Sequence, residues 1–429
     1  MPDLAARRAP SPPGTRTPAL LFAVMAVCSG ATVANVYLAQ PLLDLFARGL
    51  GVTSSAAGAV VTCAQLGYAA GILFLVPLGD VRRRRPLLSM LLAGTTGALL
   101  LAAAAPGLGV LAAAAALAGA ATVIPQVLVP LAAELAPPGR RASVVANVQI
   151  GLMTGIIGSR VVGGAVGEAL GWRAVYVLAA ALTAVTGLVT VLLMPSERRR
   201  PDGGAPAPGY GRLLASLPGL LRREPALLQA CVLHGTLFGA YNATWTTLVL
   251  VLTRAPYGYG TATAGLFGLL GLAGAVAAPW AGRAVDRRGA VPVITAALLL
   301  TLAASGAYAL GGTSPPFMVA AIVLANVAVQ WSQIANQARV FAYLPHARSR
   351  ANTVYMVAVF FSGAVCAAAA AACHAAGGWS AVCALQAVLA AAGLAVVPAA
   401  RRHDRRHMRA PETPGALTPG PQNTDKGES

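Results

Sequence analysis

In the stretch GLMTGIIGSRVVGGAVG, residues 151–167, almost every side chain is apolar or small, yet Arg160 stands near its middle. A guanidinium stays protonated, so Arg160 can hold an acceptor or an acid but cannot carry a proton through a cycle. Three other residues in apolar surroundings could exchange one: Asp44, Glu168 and His234. Histidine titrates near neutrality without help. Asp44 is the first choice for such an exchange, with His234 as the alternative. An ionisable group in an apolar segment is costly unless it faces a partner or a wet cavity, so each of these side chains marks a candidate site.

The elements that must position them follow from composition. The 429 residues are 57% hydrophobic and 10% charged, with mean hydropathy +0.69, too apolar for a soluble surface and expected of an integral membrane protein. A spanning helix needs about 20 mostly apolar residues. Twelve such segments are expected, at 18–45, 54–78, 86–105, 108–134, 142–169, 172–194, 226–252, 261–281, 290–311, 316–341, 351–375 and 378–398. The arginines between them place both termini in the cytoplasm under the positive-inside rule. All but one of the 31 basic residues are arginine, in short runs between apolar segments, so the +18 net charge points to lipid headgroups and not to nucleic acid. The N-terminal tail lacks a clear cleavage site, and the first helix is expected to be retained. Cys28, Cys63, Cys231, Cys366, Cys373 and Cys383 show neither CxxC nor metal-ligand spacing, so no disulfide framework, metal site or cofactor is expected.

The segments form two parallel copies. Asn35 and Asn242, Asp80 and Asp286, Pro137 and Pro345, Gly155 and Gly363, and Trp172 and Trp379 are each 206–208 residues apart. The expected organisation is a cytoplasmic tail (1–17), a six-helix bundle (18–194), a cytoplasmic linker (195–225), a second six-helix bundle (226–398) and a disordered tail (399–429). Within the linker, YGRLLASLPGLLRR is amphipathic enough to lie on the inner leaflet. Pro41, Pro125 and Pro130 would loosen the backbone ladders of the first and fourth spans.

The loop Gly282-Arg283-Ala284-Val285-Asp286-Arg287-Arg288-Gly289 resembles the GxxxDRxG signature of the major facilitator superfamily, and PLGDVRRRRPLL, with Asp80 and Arg82 to Arg85, is a degenerate copy at the repeat offset. The resemblance implies an all-α fold of two pseudo-symmetric six-helix bundles and a cytoplasmic gate built from Asp80, Arg84, Glu134, Asp286 and Arg287. It also implies a cavity lined by the first, fourth, seventh and tenth helices. Their polar side chains are Asn35, Tyr37 and Gln40; Gln126; His234, Tyr241, Asn242 and Trp245; Asn326, Gln330, Trp331, Gln333, Asn336 and Gln337. Each either faces cargo or fastens neighbouring helices. Tyr37, Gln40 and Trp245 are preferred for cargo, the first two because they share a helix face and the third because its ring offers a stacking surface.

ANVYLAQPLLDLF, LAPPGRRASVVANVQIG and NQARVFAYLPHARSRANTVYMVAVFFSGA resemble bacterial proton-driven efflux permeases related to drug and arabinose exporters. In the fifth helix, Gly155, Gly163 and Gly164 fit the antiporter signature GxxxGPxxGG, while Ser159 and Arg160 replace its central Gly and Pro. The resemblance implies a monomeric multi-pass transporter of the cell membrane that exports a small amphipathic or planar compound in exchange for protons, as multidrug exporters do. Proton-coupled nutrient uptake and a non-transporting sensor or scaffold are the alternatives. No phosphate-binding loop, metal spacing or nucleophile motif suggests an enzyme. Arg160 has three destinations: Asp44, an anionic cargo, or the outer headgroups by snorkelling.

Overall fold

The computed structural model describes residues 19–81, 83–136, 141–194, 209–344 and 347–409. The N-terminal tail, the first part of the linker and the end of the C-terminal tail lie outside the described residues, as do Arg82, Pro137, Pro345 and the side chain of Asp80. Among the described residues every regular element is helical. In the first half these are α1 (Ala19–Tyr37), α2 (Leu43–Leu50), α3 (Ser54–Phe74), α4 (Leu78–Val81), α5 (Arg84–Ala103), α6 (Leu108–Ala121), α7 (Ile124–Leu135), α8 (Arg141–Leu170) and α9 (Trp172–Leu193). After α10 (Tyr210–Arg223) in the linker come α11 (Pro225–Leu252), α12 (Thr261–Leu266), α13 (Leu272–Arg288), α14 (Ala290–Gly311), α15 (Pro315–Tyr343) and α16 (Arg348–Arg409).

Among the described residues ten stretches are long and apolar enough to cross a membrane. The 28 residues of α11 fall outside that set because His234, Asn242 and a run of threonines dilute them, and α16 counts once although Gly377 and Gly378 interrupt its helical backbone. The lipid-facing sides are plain to see. On α9, Leu182, Val185, Leu188 and Leu192 are exposed, while the buried Thr186 and Thr190 donate to the carbonyls four residues back, at 2.7 Å each. Polar side chains satisfied within their own helix can be buried without a partner helix.

Three expected spans are broken. The first stops at Tyr37, turns through a 3-10 segment at Gln40–Leu42 that contains Pro41, and resumes as α2. The fourth breaks between Ala121 and Ile124, where Pro125 opens α7 and its missing N–H costs nothing. The eighth, expected to be continuous over 261–281, has a 3-10 segment at Phe267–Gly271. Gly265, Gly268 and Gly271 recur every third residue there, the period at which a 3-10 helix eclipses its side chains, so three glycines make one bare strip. The strip faces α8: a Cβ on Gly265 would lie 2.5 Å from the Arg160 carbonyl oxygen, and one on Gly268 would lie 2.8 Å from Arg160 Cβ.

The face carrying α10 is here the linker face and its opposite the far face. α10 is amphipathic, as its sequence suggests, but its leucine side is turned to protein. Leu217 is buried, Leu214, Leu220 and Leu221 pack around it, and Tyr210 Oη donates to the Phe74 carbonyl at 2.7 Å. They join an apolar cluster that draws on both halves, including Leu21, Tyr68, Leu131, Tyr355 and Phe360. The final helix runs past the expected boundary at 398, through Pro398, to Arg409. Its extension is fastened by Asp404, which accepts from Arg339 Nε at 3.0 Å, Arg339 Nη2 at 2.8 Å and Tyr343 Oη at 2.8 Å. Arg339 is buried, and the carboxylate that neutralises it comes from beyond the last apolar segment.

Candidate functional site

Arg160 lies between the halves and is 2% exposed. Its Nε and Nη2 donate to Gln40 Oε1, each at 3.3 Å, and Nη2 also reaches Tyr241 Oη at 3.4 Å. Its Cζ stands 4.1 Å from the centre of the Trp245 ring and 5.5 Å from that of Tyr37. Tyr241 Oη in turn donates to Asn326 Oδ1 at 3.0 Å. The turn after α1 supplies Gln40, α1 Tyr37, α8 Arg160, α11 Tyr241 and Trp245, and α15 Asn326. Among the described residues Arg160 makes no ion pair. Pairing with Asp44 is not what the structure shows, because Asp44 is held 2.5 Å from Arg48, one helical turn along α2. The long bonds and the faces of two rings spread the guanidinium charge without neutralising it.

Other expected cavity residues are engaged elsewhere. Asn35 is packing glue within the first half, donating to Thr122 Oγ1 at 3.3 Å and Thr183 Oγ1 at 3.2 Å. His234 bonds Ser332 Oγ through Nδ1 at 2.9 Å and stacks on Tyr355, while Asn336 Nδ2 donates to the same Ser332 hydroxyl at 3.2 Å. That group belongs to the second half alone. Trp331 Nε1 donates to the Ala277 carbonyl and Gln337 to Asn352, while Gln330 and Gln333 are half-buried. Asn242 does reach across, accepting from Gln65 Nε2 at 2.5 Å. Gln65, in α3, is not on the helices expected to line a cavity; its one signal is an amide alone in the apolar run AVVTCAQLGYAAG. Gln65→Leu leaves Asn242 Oδ1 buried without a donor, at a cost of about 1–3 kcal/mol. The melting midpoint of the purified protein should fall by several degrees, and an unchanged midpoint would show the bond to be dispensable.

A cavity lies at each face. The far-face cavity, about 560 Å³, is lined by Asp44, Arg48, Ser54, Arg254 and His374 among others. The linker-face cavity, about 130 Å³, is lined by Arg84, Gln126, Glu134 and Arg350 among others. Between the latter and Arg160 stands an aromatic seal: Gln126 donates to Tyr68 Oη, Tyr68 meets Phe360 at 4.5 Å between ring centres, Phe360 meets Phe238 at 5.3 Å, and Phe238 stacks on Tyr241. On the far face polar ties join the halves. Glu168 accepts from the Ala262 backbone N–H at 2.5 Å, at the start of α12, and Arg254 donates to Ser54 Oγ at 2.8 Å. At the linker face Arg84 grips Glu134 with both nitrogens, at 2.5 and 2.8 Å, but the pair lies within one half. Asp286 and Arg287 are exposed at the end of α13, with no hydrogen bond or ion pair among the described residues; of the expected gate the structure brings together Arg84 and Glu134, and the Asp80 side chain lies outside the described residues.

Two bundles meeting around a sealed polar cluster, with a cavity at each face, make a carrier architecture. A family profile described as Major Facilitator Superfamily matches residues 21–314 and 266–421. The chain belongs to the major facilitator superfamily. This major facilitator is 47% identical over 384 residues to the "Probable transporter SCO4007" of Streptomyces coelicolor, covering 89% of the chain and 88% of that protein. It is 36% identical over 380 residues to the uncharacterized transporter YgaY of Escherichia coli, covering 89% and 95%. In fold it is similar to the nucleoside transporter NupG, with TM-score 0.71 at 12% identity over 89% of this chain and 98% of that one. It is equally similar to the peptide transporter POT in complex with alafosfalin, with TM-score 0.71 at 14% identity over 90% and 95%. As a major facilitator it is a multi-pass integral membrane protein of a family that binds small-molecule substrates.

Proposed function

We propose that this major facilitator exports a small amphipathic compound from the cell by alternating access, as a proton antiporter. In this reading the cell-membrane protein acts as a monomer, has twelve spans and keeps its linker and both termini in the cytoplasm. The observation that carries it is the Arg160 cluster, which draws side chains from both halves and is buried from both faces. Rocking the halves about such a cluster would expose it to one face at a time. The resemblance of the sequence motifs to those of drug and arabinose exporters favours export over nutrient uptake. Asp44 is the proton carrier in this reading: it lines the far-face cavity and can exchange its bond to Arg48 for a proton. Asp286 and Arg287 join Asp80 and the Arg84–Glu134 pair to close the linker face when the far face opens.

Everted membrane vesicles carrying a pH-sensitive dye test this reading. After acidification of the lumen, ethidium, chloramphenicol, arabinose and benzoate are added in turn. At least one is expected to draw protons out of wild-type vesicles, and Asp44→Asn should abolish that release. Normal release in the variant would remove Asp44 from the role. Release with none of the panel would overturn proton antiport.

A further inference from the structure

Three features around Arg160 converge on the chemistry of what binds there. First, the guanidinium is buried without an ion pair among the described residues, although removing a charge from water costs several kcal/mol unless a counter-charge is supplied. Second, two neutral N–H groups beside it, Gln40 Nε2 and Trp245 Nε1, are buried with no acceptor among the described residues. The Gln40 amide cannot be turned to relieve this, because its oxygen already takes two bonds from Arg160, and a flipped amide would set donors against donors. A buried cation beside two orphaned donors is a deficit of acceptors, the mark of a site for an anion. Third, the far-face route to it is basic. In that cavity Asp44 is taken by Arg48, and among the described residues the side chain of Arg254 is bonded to a serine and not to a carboxylate. A cavity with uncompensated positive charge concentrates anions.

We propose that the compound moved by this transporter is a monoanion whose carboxylate is held by Arg160, Gln40 Nε2 and Trp245 Nε1. The inference rests on the transport reading above for the word "moved"; the site itself stands without it. One cation calls for one negative charge, and the faces of Tyr37 and Trp245 suit an uncharged, planar remainder. The carboxylate oxygens would displace the long bonds of Arg160 and satisfy both orphaned donors.

Three probes share one ring and differ in charge: benzoate, benzamide and benzamidinium. Their binding is measured by calorimetry on the full-length protein in lipid nanodiscs. Benzoate is expected to bind at least about tenfold more tightly than benzamide, and benzamidinium not at all. Trp245→Phe, which keeps the ring face but removes the N–H, and Gln40→Met should each weaken benzoate about tenfold, as loss of a hydrogen bond to a charged group does. Arg160→Gln should abolish benzoate binding. Because that variant can misfold, the Phe and Met variants, checked for wild-type melting, keep the test decisive. Benzamide binding as well as benzoate, no benzoate binding to the wild type, or full affinity in both milder variants would overturn the anion site. Ethidium-driven proton release alongside such a failure would leave the exporter reading intact. Benzoate binding in vesicles where no compound moves a proton would sink antiport and spare the site.

Discussion

Gly155→Val is expected to yield no folded protein, whereas Gly158→Ala, one helical turn along, should be silent. A Cβ on Gly155 would lie 2.0, 2.4 and 2.5 Å from the oxygen, carbonyl carbon and Cα of Gly30, all of them backbone atoms of α1. A Cβ on Gly158 meets nothing within 4 Å. Overpacking costs about 1–3 kcal/mol where a neighbouring side chain can swing aside. Here nothing can swing, and the helices must separate. Gly30 and Gly151 are in the same position, with contacts of 2.4 and 2.3 Å to carbonyl oxygens of the facing helix, so the crossing has no slack along two turns. Separation would also pull Gln40, in the turn that follows α1, away from Arg160, carried by α8. The measurement is the yield and melting curve of detergent-purified protein. A Gly155→Val protein melting like the wild type would disprove the crossing.

The second large effect is expected at Glu168. Its carboxylate projects from α8 in one half onto the first turn of α12 in the other, where a helix presents unpaired N–H groups and a positive dipole end. Glu168→Ala removes a charge-assisted bond that only the far-closed arrangement can make. Because the carboxylate is exposed, a loss of about 0.3–1 kcal/mol shifts the balance toward a far-open state by roughly twofold to fivefold. Hydrogen–deuterium exchange should speed up across 256–266, with Glu168→Gln, which keeps an acceptor but loses the charge, lying between. Wild-type exchange in Glu168→Ala would mean that the tie carries no load.

Much of this arrangement could be read from the chain. Tyr37 and Gln40, three residues apart, and Trp245, with a ring that offers a stacking surface, all meet around Arg160. Partner choice was harder. Asp44 and Arg48 are four residues apart on one helix, a spacing that favours their own pair over any distant one. Asn35, His234 and Asn336 turn into their own bundles because threonine or serine hydroxyls wait there, and no helix-by-helix reading of polar positions reveals that. Gln65 lies outside the helices taken to line a cavity, and Asp404 lies beyond the last apolar segment. The break at Phe267–Gly271 looks apolar and continuous in one dimension; it is Arg160, its carbonyl over Gly265 and its side chain over Gly268, that gives those glycines their purpose.

The two doors of this molecule are built from different materials. The linker side is shut by rings and leucines drawn from both halves, with Tyr68, Phe238 and Phe360 at its centre, whereas the far side is shut by Glu168 on a helix start and Arg254 on Ser54. Wetting apolar surface carries a positive heat-capacity change, so linker-side opening has a curved temperature dependence. Far-side opening wets apolar surface too, since Leu250 and Ala367 pack into the first half there, but it also breaks charged ties and so responds to ionic strength, which screens charges near solvent. Salt is thus a handle felt chiefly at the far door.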